Sequence, residues 1–199
     1  MTSITAGKTL AATLMPASPA MRLATNGLLA LAGSLLIMLA AKTQVPFWPV
    51  PMTLQTLAVF AIAAAYGARL GAVTLALYLI EGAAGFPVFA GTPEKGIGLA
   101  YMVGPTGGYL AGFLVMAVIA GWAADRGWSR NPLKLGAAML AGEAVMLVMG
   151  AAWLAVLFGT EKAIAWGIGP FVVGDLVKLA LAACLVSLAW PLLSFLRNR

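Results

Sequence analysis

Apolar residues gather into six stretches along the chain, at 23–41, 53–66, 72–83, 107–124, 133–158 and 171–196. None alternates as a half-buried strand does; each is continuous, which predicts helix. A bilayer crossing takes about 20 apolar residues, and four of the stretches approach or exceed that length. The second and third fall short, which predicts kinked or re-entrant helices. Gly67-Ala68-Arg69-Leu70-Gly71 predicts the tight turn between them. Two polar breaks stand out. The first, 42–52, carries Gln44-Val45-Pro46-Phe47-Trp48-Pro49-Val50-Pro51; the second, 82–105, is Gly-rich with Pro87, Phe89, Pro93 and Tyr101. Long non-helical segments in so small a chain serve as lids or binding loops. The Pro-Phe-Trp-Pro run reads equally well as an aromatic belt at a membrane interface.

Composition narrows the picture to one class. Of 199 residues, 62% are hydrophobic and 9% charged, against about 45–50% and 25% in soluble domains. Too few charges exist to cover a water-soluble sphere, and disorder is excluded by the same figures. The expected fold is all-α: a polytopic integral membrane protein with six transmembrane helices. Residues 1–22 read as a polar tail and 23–199 as a single six-helix membrane domain. Gly7-Lys8-Thr9 looks like the end of a phosphate-binding loop, but Thr2 stands where that motif needs glycine, so nucleotide binding is rejected.

The net charge of +6 reads as topology rather than nucleic-acid binding. With the N-terminus inside, the inner side holds Lys8, Arg22, Arg69, Arg126, Arg130, Lys134, Arg197 and Arg199, and the outer side Lys42, Lys95 and Lys162. That bias predicts a multi-pass protein of the cytoplasmic membrane, lipid-embedded, with both termini cytoplasmic. The chain has no His and one cysteine, Cys184, which removes the commonest metal ligand and any internal disulfide. No cofactor or metal is expected.

Charges inside the apolar stretches carry the chemistry. Asp175 and Lys178 lie three apart in the sixth, Glu143 in the fifth and Glu81 near the end of the third. Each costs about 2.5–3.5 kcal/mol at a helix centre unless it faces a cavity or a partner. Spacing puts Asp175 and Lys178 on one helix face. Facing a wet pocket they offer an acceptor and a donor; facing a neighbour they are a packing bridge. Glu143 is read as a helix–helix hydrogen bond beside Gly142 and Ala144. Thr53, Gln55 and Thr56 either line a pocket mouth or cap a helix. Gly104-Pro105-Thr106-Gly107-Gly108-Tyr109 opens the fourth helix and permits close backbone approach, to a ligand or to another helix. Ala30 and Ser34 form a small-x-x-x-small pair for helix association, within the chain or with another subunit.

Four motifs in order resemble one family: Val50-Pro51-Met52-Thr53-Leu54-Gln55-Thr56-Leu57, Gly85-Phe86-Pro87-Val88-Phe89-Ala90, Gly104-Pro105-Thr106-Gly107-Gly108-Tyr109 and Gly174-Asp175-Leu176-Val177-Lys178. Together they resemble the BioY family, the biotin-binding substrate (S) components of energy-coupling-factor transporters, over about residues 24–196. The resemblance implies a six-helix protein that binds biotin near the outer face under a loop lid. It also implies partnership with a transmembrane coupling subunit and cytoplasmic ATPases. Asp175 and Lys178 match the family's binding pair. Asp175 would accept the ureido N–H bonds and Lys178 would pair with a carbonyl or negative oxygen. Phe89, Tyr101 and Tyr109 are the aromatic candidates for packing on the thiophane ring. The family's Ala-x-x-x-Ala docking motif on the first helix departs here to Ala30 and Ser34.

Three other readings compete. A stand-alone ion-coupled transporter of a small organic anion would use Asp175, Glu143 or Glu81 as a proton carrier. A channel would need two Asn-Pro-Ala half-helices, and Asn131-Pro132-Leu133 occurs once. An intramembrane enzyme lacks histidine and any carboxylate cluster for a metal, so no catalytic residue is expected.

Overall fold

The computed structural model describes residues 9–46 and 48–197. Thr2, Gly7, Lys8, Phe47 and Arg199, which figured in the sequence reading, lie outside the described residues. A short helix, α1 (Leu10–Thr13), precedes α2 (Pro19–Lys42). Thr9, the last residue of the rejected phosphate-loop match, caps α1: its hydroxyl accepts the Ala12 N–H at 3.3 Å. The first long helix therefore starts four residues before the expected boundary, because Pro19 suits a first helical position.

A two-stranded hairpin follows, β1 (Gln44–Val45) with β2 (Met52–Thr53), pairing Gln44 with Thr53 and Val45 with Met52. Then come α3 (Gln55–Tyr66), α4 (Ala68–Ala83), the short α5 (Gly98–Met102) and α6 (Gly107–Asp125). A 3-10 turn (Trp128–Arg130), α7 (Pro132–Phe158), α8 (Thr160–Gly167) and α9 (Gly169–Arg197) complete the chain. The α2, α6 and α7 helices and the stretch 160–195 are long and apolar enough to cross a membrane. The protein is a multi-pass, all-α membrane protein.

The connections place both described ends of the chain at one end of the bundle, here the termini end; the other is the pocket end. The turn between α3 and α4 is shorter than expected. It is Gly67 alone, at φ +87°, a conformation only glycine adopts freely. Asp125, at the end of α6, accepts the Ala68 N–H at 3.0 Å and so caps α4. Asn131 does the same for α7, accepting the N–H groups of Leu133 and Lys134 at 3.0 Å.

The two short helices meet at the termini end, where Gly67 lies against Asp125 and Thr9. The α3 helix runs from the pocket end to Gly67, about 18 Å at 1.5 Å per residue, well short of the ~30 Å hydrocarbon core. It survives because protein surrounds it: Gln55, Thr56, Val59, Phe60, Ile62, Ala63 and Ala64 are buried against α2, α4, α6 and α9. A central helix that stops short leaves space above its first turn. That space is the candidate site.

The small residues of α2 also find their place. Ala30, Gly33, Ser34, Ile37 and Ala41 are buried, and Gly33 lies against Thr74, Tyr66 and Ile62. The Ser34 hydroxyl donates to the Glu81 carboxylate of α4. The Ala30–Ser34 pair is thus an internal packing seam. Glycines likewise bring α6 and α7 together: a side chain at Gly108 would meet Trp153 and the Met149 backbone, and one at Gly112 would meet Met146. The close approach offered by Gly107-Gly108 serves a neighbouring helix.

Candidate functional site

Above the short α3 helix lies a cavity of about 40 Å³. Thr53, Gln55 and Thr56 come from the start of α3 and the strand before it; Val50 and Pro51 roof it from the hairpin loop. Tyr101 and Thr106 close one side, Tyr109, Leu110 and Phe113 another, and Met146, Leu147 and Phe171 a third; Asp175 and Lys178 project from α9.

The charged pair is the chemical centre. The Lys178 ammonium donates to Asp175 Oδ1 at 2.7 Å, with Asp175 2% exposed and Lys178 13%. Glu143, on α7, is 3% exposed. It lies within electrostatic reach of both Asp175 and Lys178, yet neither of its oxygens makes a geometrically sound hydrogen bond. Removing such groups from water costs several kcal/mol per ion unless partners replace the lost hydration.

A polar chain fixes the opposite wall. The Thr53 hydroxyl donates to Gln55 Oε1 at 3.2 Å, and Gln55 Nε2 donates to the Tyr78 hydroxyl at 2.9 Å. Tyr78 in turn donates to the Val88 carbonyl at 3.1 Å. The segment 85–96 is thereby tied to α3 and α4. Lys42, at the end of α2, ties it again by donating to the Phe89 and Thr92 carbonyls at 3.0 Å and to the Thr92 hydroxyl at 2.8 Å. This segment, expected to be a lid or binding loop, is clamped at both α2 and α4.

Tyr109, on the side wall, donates its hydroxyl to the Gly167 carbonyl at 2.7 Å. Gly150 lies flat against its ring. Tyr101 sits on α5, where burial pushes its phenol above the ordinary value while a hydrogen bond with Thr106 works the other way. The hairpin loop is latched from outside. Trp48 meets Trp166 of α8 edge-on at 4.9 Å and Phe158 of α7 at 6.0 Å.

Of the seven residues singled out from the sequence, six line the cavity: Thr53, Gln55, Tyr101, Tyr109, Asp175 and Lys178. Phe89 does not. Its ring stacks behind Tyr101 at 4.9 Å and edge-on to Tyr78 at 5.4 Å, so it supports the wall without forming it. Sequence reasoning passed over Tyr78, although a tyrosine inside an apolar stretch is a signal that a hydroxyl needs a partner there. It also passed over Phe113, Met146 and Phe171, whose apolar side chains carry no mark that separates them from core.

A model of the BioY family matches residues 10–195. The probable biotin transporter BioY of Pyrococcus horikoshii is 39% identical over 142 residues, 71% of this chain and 82% of that protein. The biotin transporter BioY of Thermotoga maritima is 39% identical over 149 residues, covering 74% and 85%. The biotin transporter BioY of Rhodobacter capsulatus is 35% identical over 166 residues, covering 76% and 85%. A solved structure, the S-component for biotin from an ECF-type ABC transporter, superposes with a TM-score of 0.74 over 92% of this chain and 96% of that one, at 22% identity. At that identity the likeness is one of fold.

Proposed function

We propose that this chain, which belongs to the BioY family, captures biotin at the pocket end as the substrate-binding subunit of an energy-coupling-factor transporter. One observation carries the reading: a buried acid–amine pair opens on a cavity whose remaining walls are largely aromatic and aliphatic. Biotin has the matching parts. Its ureido N–H groups suit the Asp175 carboxylate, an oxygen of the ureido or the carboxylate suits the Lys178 ammonium, and its apolar ring suits Tyr101, Tyr109, Phe113 and Phe171.

The volume sets how capture proceeds. At about 10–15 Å³ per water measured the same way, 40 Å³ holds a few waters and not a fused bicyclic ring with its acid tail. Entry therefore requires the roof to lift, and the 43–54 loop is the element built to do so. The backbone N–H of Leu54 donates to the carbonyls of Ala40 and Thr43 at the loop base, while Trp48 holds its tip.

Energy for release into the cell is assigned to partners, a transmembrane coupling subunit and cytoplasmic ATPases. Orientation follows the charges: Arg22, Arg69, Arg126, Arg130 and Lys134 at the termini end outnumber Lys42, Lys95 and Lys162 at the pocket end, which supports cytoplasmic termini. Calorimetry of the purified protein with biotin tests the reading. Asp175→Asn and Lys178→Ala should each weaken binding by about 1.5–3 kcal/mol, the range for hydrogen bonds to charged groups. Unchanged affinity in both would take the pair out of the site.

A further inference from the structure

We propose that Glu143 is the reserve acceptor for the Lys178 ammonium, receiving it when a ligand's N–H donors occupy the Asp175 carboxylate. The inference rests on the biotin reading, since it takes the donors to be those of a ureido ring.

The conflict is built into the site. Lys178 already donates to Asp175 Oδ1 at 2.7 Å, so any ligand that recognises Asp175 through N–H groups competes with that ammonium. With the bridge in place the Lys178 side chain is 13% exposed, so a displaced ammonium needs an acceptor nearby, because a buried charge left alone is strongly unfavourable. Glu143 has two oxygens without hydrogen bonds, buried on a helix that packs on α9 and within electrostatic reach of Lys178.

Its place on α7 fits the task. Met146 and Leu147 line the cavity, and residues three and four apart share a helix face, so Glu143 stands one turn beneath the wall rather than in it. On the α6 side, Gly142 faces Met116, whose thioether side chain has no donor to offer a carboxylate. Asp175 and Lys178 are the charged groups that face Glu143. The Glu81 carboxylate is held by the Ser34 hydroxyl, whereas the Glu143 carboxyl faces the charged pair of α9. Glu143 is therefore a positioning residue, acting on the ligand through Lys178.

The test compares wild type, Glu143→Gln, Lys178→Met and the double variant of the full chain, by radiolabelled biotin binding and by thermal unfolding without biotin. Glu143→Gln keeps the shape and removes the carboxylate. It should weaken biotin binding about tenfold while unfolding no earlier than wild type. In the Lys178→Met background the same substitution should change affinity less than about twofold, because coupled residues depart from additivity. Equal factors in both backgrounds, or wild-type affinity in Glu143→Gln, would overturn the proposal while leaving the biotin reading standing. Should Glu143→Gln fail to fold, Glu143→Asp, which keeps the charge and shortens the reach, should bind several-fold more weakly, and wild-type affinity there overturns it equally. A wild type that does not bind biotin sinks the ligand reading and this inference together.

Discussion

The two ends of the bundle use the same side-chain types to opposite effect. At the termini end a cavity of about 590 Å³ lies between α1, α2 and α4, lined by Arg22, Arg69 and Asp125 among smaller and apolar residues. It dwarfs the 40 Å³ cavity at the pocket end. Yet its charges are exposed, and Asp125 is employed in capping α4. Nearby guanidiniums lie over indole rings, Arg126 on Trp122 at 3.4 Å and Arg130 on Trp190 at 4.3 Å. At the pocket end Asp175, Glu143 and Lys178 are withdrawn from water. The two cavities are thus told apart by the burial of charge and not by volume. Exposed charges at a membrane edge are explained by topology alone, whereas buried ones require a partner that justifies their desolvation.

The largest expected contrast comes from removing one acid at each end. Asp175→Ala takes away the acceptor the Lys178 ammonium now uses; deleting one partner of a buried pair costs about 3–5 kcal/mol, less whatever Glu143 recovers by receiving the ammonium. Asp125→Ala removes the acceptor at the start of α4, a loss of about 1 kcal/mol. Thermal unfolding in the same detergent reads both. Equal losses would mean that Asp175 is solvated to the same degree as Asp125, and the distinction between the ends would disappear.

A smaller effect separates the roof from the floor. Trp48→Ala removes two edge-on ring contacts, with Trp166 and Phe158, each worth about 0.5–1.5 kcal/mol beyond area burial. Those contacts hold the loop closed and do not touch the charged pair. Release of biotin should therefore speed by about tenfold, the factor for 1.4 kcal/mol, with the unfolding temperature little changed. A pulse–chase with labelled biotin measures it. An unaltered release rate would assign the roof's closure to Val50 and Pro51 alone.

How much of this was legible depends on sequence distance. Asp175 and Lys178 were readable because both members sit within one turn of an apolar helix, where periodicity alone puts them on one face. The start of α6 at Gly107 and the end of α7 at Phe158 were readable from Pro105 before one and Gly159 after the other. The Lys42 clamp on Phe89 and Thr92 was not, nor the Glu81–Ser34 bond, since each joins residues about 47 positions apart and no local pattern records such a meeting. Phe89 was placed on the wall because an aromatic in a loop motif suits a ligand ring; its neighbour Tyr101 took that position and left Phe89 to support it. The α8 helix was hidden by Gly159 and the polar Thr160-Glu161-Lys162 start, which read as a loop. Glu143 was visible as an anomaly but not as a neighbour of Asp175, because α7 and α9 meet only through the fold.

The smallest expected effect is the most pointed. Arg22→Gln with Arg69→Gln strips both guanidiniums from the larger cavity. Exposed substitutions away from caps and buried networks stay within about 0.5 kcal/mol, so biotin affinity and unfolding temperature should both hold. What should move is orientation, because short loops near membrane-spanning ends set topology through their Lys and Arg content. Reporter fusions at the C-terminus, read for the side of the membrane they reach, would register a fraction of inverted chains. Loss of biotin affinity in correctly oriented protein would instead tie the larger cavity to ligand capture and reverse the assignment of roles to the two ends. Volume would then matter after all, and the buried pair would be only the lock on a helix seam.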